Sequence, residues 1–285
     1  MSRLGKTKKA AKDFEQSMLP QTRRAIFFDV VKLQWRKLLL LAAILLVAAI
    51  PLLVIAVYED TYLLTALEDP DIPQETIPAL IAPLHIFCAV LSCPCIVLFF
   101  LGLSGVIRVI RQLAWEENAL ILPDFMIGFR QNWKQFLPTG MLFGFSYALA
   151  KIGWHSAMAT QANSVWIQGI LLGLLIFLIA PLAACCIVVI AVYNNGFWNN
   201  LKLAAYVYLK SPIKSVVGML LAFGPGIAVW LIPSLQLHLI GSIPAIVVFT
   251  LGLLGWVLFT YNQLDKHYNA QQYPELVGKG INGQP

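Results

Sequence analysis

Arg108 and Arg111 stand three residues apart, one turn on a helix and therefore on one face. Soon after follow Glu116, Glu117, Asp124, Arg130, Asn132 and Lys134, interleaved with the aromatics Phe129 and Trp133. Guanidinium, carboxylate, amide and aromatic groups at this density can pair with one another and with lipid phosphates. They can equally form a surface that docks a cytoplasmic partner. The 105–138 region is the candidate partner-binding site on these residues.

Catalytic chemistry finds no comparable grouping. HExxH, GxSxG, P-loop and Rossmann glycine spacings are all missing. Trp154-His155-Ser156 sets a histidine beside a serine, but neighbouring residues diverge on a helix and no carboxylate is near to orient them. Cys93-Pro94-Cys95 and Cys185-Cys186 fit neither a zinc pattern nor a disulfide framework, and Cys88 stands alone. All five read as small, soft packing residues. His85 and His155 read as isolated structural histidines. The expectation is a protein that is not an enzyme and that uses no cofactor and no metal.

The elements that must carry these residues are apolar throughout. Of the 285 residues 59% are hydrophobic and 12% charged, against about 25% charged in soluble domains. Six stretches, 38–58, 79–104, 138–156, 165–190, 215–233 and 242–262, approach or exceed the roughly 20 residues that cross a bilayer as helix. Lipid offers no partner to the backbone, so helix is the spanning form. The reading is all-α, a polytopic membrane bundle of six transmembrane helices with short cytoplasmic amphipathic helices, and the lipid bilayer is its first partner.

Basic residues fix the orientation expected of it. Arg3, Lys6, Lys8, Lys9, Lys12, Arg23, Arg24, Lys32, Arg36 and Lys37 precede the first span. The next loop holds Glu59, Asp60, Glu68, Asp69, Asp71 and Glu75 and no basic residue, and reads as solvated. Lys151 alone falls on that side, with a stem long enough to reach the headgroups. Both termini are then cytoplasmic. The basic leader suits anionic lipid better than nucleic acid, and about 37 residues before the first span is too long for an ordinary signal peptide.

Residues 1–24 read as a basic mobile tail, 25–265 as the membrane domain and 266–285 as a cytoplasmic tail. Within the domain, 25–37 forms an interfacial helix with Phe27, Val30, Val31 and Trp35 on one face. Asp124 is the expected cap of an amphipathic helix ending at Leu137-Pro138, and Asn199-Asn200 the cap of a second ending at Pro212. The two hairpins so formed are either a parallel repeat or the chance likeness of membrane hairpins. No carboxylate lies in the heart of a span, which argues against coupled transport. Helices broken at Pro94, Pro181 and Pro225 offer a second route, a facilitative pathway lined by freed carbonyls.

Gly102-Leu103-Ser104-Gly105, Arg111, Glu116, Asp124-Phe125, Phe129, Asn132-Trp133-Lys134 and Pro138 resemble the YesL-like family of bacterial multipass membrane proteins. The likeness extends over most of 25–265, though the basic leader and the long acidic loop depart from it. It implies a helical membrane protein often encoded among carbohydrate uptake and breakdown genes, and no catalytic residue. The function expected is an accessory or assembly factor for carbohydrate uptake, docking a membrane transporter or a cytoplasmic protein. The alternative is a facilitative carrier of a small solute or lipid.

Overall fold

The computed structural model describes residues 20, 22–71, 73, 76–115, 117–160, 165–193, 195–231 and 234–281. Glu116, in the docking cluster, lies outside the described residues, as do 1–19 of the basic tail. Among the described residues the chain is helical and has no strand, an all-α bundle.

The helix α1 spans Arg23–Leu33, where Thr22 Oγ1 accepts the Ala25 N–H at 3.1 Å as an N-cap. It buries Ile26 and Val30. The expected 25–37 helix is divided, because Gln34 leaves helical geometry and α2 begins at Trp35. Trp35 accordingly projects outward instead of joining the buried face. From there α2 runs to Glu68, ten residues past the predicted end of the first span. Nothing between 58 and 68 breaks a helix; the first breaker is Asp69-Pro70. Glu59 and Asp60 are therefore helical residues and not part of a loop.

The helix α3 covers Ile77–Ala114 and α4 covers Ile121–Thr160. Leu137-Pro138 ends no helix: α4 passes through Pro138, and the predicted amphipathic helix is simply its first third. One proline removes one backbone hydrogen bond from a 40-residue helix, and packing against α3 on both sides of it holds the halves in line. That packing is read from the glycines. A Cβ on Gly105 would strike the Phe125 ring and carbonyl at 2.4–2.7 Å, one on Gly140 the Phe100 Cβ at 2.9 Å, and one on Gly144 the Cys93 carbonyl at 3.1 Å. As one helix ascends the other descends, so α4 crosses the same thickness as α3. Gly102 touches Ala48 of α2 in the same way, at 2.7 Å. The Gly102–Gly105 motif thus makes close helix contacts, as small residues do in lipid.

The helix α5 is Val165–Leu174, and a π-turn at Leu175–Ile179 leads into α6, Ala180–Val192. The break expected at Pro181 lies just before it, whereas Pro94 and Pro225 sit inside continuous helices. Every residue from Ala183 to Ala191 is buried, so α6 is the central helix, and Cys185 and Cys186 pack within it. Then come α7, Phe197–Lys210, and α8, Pro212–Leu231. Gly196, not Asn199-Asn200, stands at the N-cap of α7. Because α7 stops at Ser211 while α4 runs through its proline, the two hairpins are built differently. A π-turn at Leu237–Gly241 opens α9, Ser242–Leu264, and Trp256 Nε1 donates to the Ala184 carbonyl of α6 at 2.7 Å.

Among the described residues five helices are long and apolar enough to cross a membrane: Trp35–Glu68, Ala79–Ala114, Trp166–Val192, Pro212–Val229 and Leu237–Gln272. The stretch 138–156 does not qualify on composition, being diluted by Lys151, His155, Gly and Pro; it runs alongside α3. Large apolar side chains such as Trp166, Leu221, Ile240 and Phe145 face outward from these helices. In water they would form an untenable apolar belt, whereas lipid solvates them.

The described part of the C-terminal segment, 266–281, packs against the bundle. Arg23 donates to Asp265 Oδ2 at 2.7 Å and to the Lys279 carbonyl at 2.6 Å. Gly280 sits at φ +84°, and a Cβ there would lie 2.5 Å from the Ala114 carbonyl at the end of α3. Gly280→Ala is expected to cost about 1–3 kcal/mol locally. Hydrogen exchange should rise over 274–281 while the spans keep their protection; unchanged exchange there would contradict this docking.

Candidate functional site

The two ends of the bundle carry its ionisable groups. On α3, His85 and Arg108 are about 35 Å apart at 1.5 Å per residue, close to the roughly 30 Å hydrocarbon core. On α2 the same rise separates Lys37 from Glu59 by about 33 Å.

At the arginine end, most of the predicted docking residues serve the fold. Arg111 donates to the Ala191 carbonyl at the end of α6, 2.5 Å away, and stacks on Trp115 with 4.8 Å to the ring centroid. Lys279 covers the same ring at 4.0 Å and pairs with Glu117 at 3.4 Å. Arg108 donates to Gln131 Oε1 at 2.6 Å, and Asn132 reaches the Ser104 carbonyl at 3.5 Å. Asp124 accepts the preceding Leu120 N–H at 2.7 Å, where a bond from the following turn was expected. Phe129 stacks on Phe125. Arg130, Trp133 and Lys134 remain exposed on α4.

Residues outside the predicted set knit this end further. Asn200, fully buried, donates to Gln135 Oε1 at 2.7 Å, and Gln135 donates to the Asn195 carbonyl at 2.8 Å. Tyr193 donates to Asn269 Oδ1, and burial pushes its phenol above the usual tyrosine range, keeping it a donor.

The opposite end holds what the sequence reading missed. Glu59 of α2 accepts from His85 Nδ1 of α3 at 2.5 Å and from Lys151 Nζ of α4 at 2.6 Å. His155, one turn beyond Lys151, stacks on His85 with ring centroids 3.6 Å apart and planes 15° from parallel. The Glu59 side chain is 13% exposed. Its neighbour Asp60 bonds His238 Nδ1 at 2.5 Å, the two side chains being 8% and 5% exposed. His238 comes from the π-turn that opens α9, a distortion that recurs at functional sites. Two adjacent carboxylates on one membrane helix are thus each bonded to a histidine of another helix. A groove of about 290 Å³ lies on another face of the same end of α2, walled by Tyr58, Thr61, Tyr62 and Asp69 among others, and neither carboxylate lines it.

The reading of Glu59 and Asp60 as solvated loop residues is therefore corrected, and so is that of His85 and His155 as isolated; both carboxylates stand at the end of the bundle, not in the heart of a span. The error came from ending the first span at 58, which left Glu59 and Asp60 to be counted as loop. A signal was available. Lys151, His155 and His85 were the polar residues placed toward the same side as these acids, and burial in helical ends favours pairing.

Comparison with protein-family models, curated proteins and solved structures gives no match for the chain. Helical content, outward apolar belts and span lengths define an all-α polytopic membrane protein.

Proposed function

We propose that the protein is a non-enzymatic membrane carrier that takes up a small solute at the Glu59–Asp60 end of its bundle. One observation carries this reading: two adjacent carboxylates within a spanning helix, each held by a histidine from a different helix. Ionisable groups are costly within membrane helices, and they concentrate on solute and ion pathways. The π-turn at His238 supports a bundle with a helix distorted beside its ligand. The basic flanks favour both termini in the cytoplasm, so that the carboxylate end faces outward, and the likeness to the YesL-like family favours a bacterial plasma membrane. Proteoliposomes of the full chain should show saturable uptake from a panel of cations, sugars and amino acids. Asp60→Asn and Glu59→Gln should each lower it at least about tenfold. An absence of flux across the panel refutes the carrier.

A second reading, the accessory factor for carbohydrate uptake, draws on Trp133, 38% exposed, flanked by exposed Arg130 and Lys134 on α4. The likeness to the YesL-like family points the same way. It ranks lower because Arg108, Arg111, Glu117, Asp124 and Asn132 already have partners within the chain.

A further inference from the structure

Three helices bring one ligand residue each to a single point: Glu59 from α2, His85 from α3 and His155 from α4. Their ligating atoms all lie within 4.8 Å of one another. Around a tetrahedral zinc ion, with bonds of about 2.0–2.2 Å, such atoms stand about 3.4 Å apart. The stacked rings of His85 and His155 would have to turn out of their near-parallel arrangement to aim at one ion. Two imidazoles and one carboxylate form a borderline donor set, suited to zinc and its first-row neighbours. Three protein ligands leave a fourth position open, the pattern of metal sites that exchange or present a ligand.

Lys151 Nζ, 2.6 Å from Glu59 Oε2, supplies the positive charge that a bound cation would bring. Flexible and single-charged, it can withdraw along its stem.

We propose that Glu59, His85 and His155 form a binding site for a divalent transition-metal ion of the zinc class, with Lys151 as the internal cation that the metal displaces. The proposal rests on the carrier reading in taking this end as the place of ligand entry, and it names the ligand. Asp60, the next residue of α2, is held by His238 and is not one of the three ligands.

The test is Co²⁺ titration of the tag-free full chain in nanodiscs, read by visible absorption, with Zn²⁺ as competitor. The expected result is one Co²⁺ per chain with the intense bands of low coordination number, displaced by Zn²⁺. Glu59→Gln and His155→Gln should each weaken binding at least tenfold. Lys151→Met should tighten it severalfold, a gain that no folding defect can mimic. Failure of the wild type to bind, equal binding by the Glu59 and His155 variants, or weaker binding by Lys151→Met overturns the site. Metal bound without solute flux would sink the carrier and leave the site standing. Flux that depends on Glu59 without metal binding would do the reverse.

Discussion

Glu59→Leu, measured in chelator-treated protein, is expected to lose about 3–5 kcal/mol of stability, the range found when one partner of a buried ion pair is removed. The loss arises because Lys151 Nζ and His85 Nδ1 are left as donors without an acceptor at a largely enclosed site. Lys151→Met should cost less, since Glu59 keeps its bond from His85. The double variant Glu59→Leu/Lys151→Met should then be more stable than Glu59→Leu alone, because the orphaned ammonium is gone. Denaturant titration in mild detergent gives the four corners of this cycle. Additive losses would show that the two side chains act independently and that the pair contributes nothing.

Gly252→Ala is the second large effect expected, and it concerns the fold. A Cβ at 252 would lie 1.8 Å from the Ala222 carbonyl oxygen and 2.7 Å from its carbon. Both are backbone atoms of α8, so no side-chain rotation relieves the contact and the two helices must separate. Separation loosens Phe223 against Phe249 and Trp256, whose rings lie 5.0 and 6.1 Å away. A cost of about 3 kcal/mol or more follows, at the upper end for overpacking. Gly169→Ala is the control: nothing lies within 4 Å of its Cβ position. There the change should be neutral or slightly stabilising, as for any helical glycine made alanine. Equal melting of the two variants would contradict the close α8–α9 crossing.

The candidate site was only partly legible. Composition identified the intervals 79–104 and 165–190 because a run of Leu, Ile, Val and Ala is a local property of the chain. End points were harder. A hydropathy reading stops at the first carboxylates, Glu59 and Asp60, yet helix propagation depends on the backbone, which nothing interrupts before Asp69-Pro70. Pro138 misled in the other direction. Its lost hydrogen bond is visible in the sequence, whereas the contacts of Gly140 and Gly144 that keep α4 continuous belong to α3. The dense cluster from Arg108 to Lys134 was legible but its internal partners were not, since Arg111 ends on a carbonyl 80 residues away.

What the sequence by itself determined is the solvent and the class: apolar runs of spanning length, basic flanks and an acid-rich opposite side follow from transfer energies that each residue carries anywhere. What only the tertiary structure decided is which polar groups meet. Asp60 and His238 are 178 residues apart, and Glu59 draws its partners from two other helices. No periodicity encodes such pairs. They arise when helices pack close enough that a buried carboxylate must take the nearest donor in place of water.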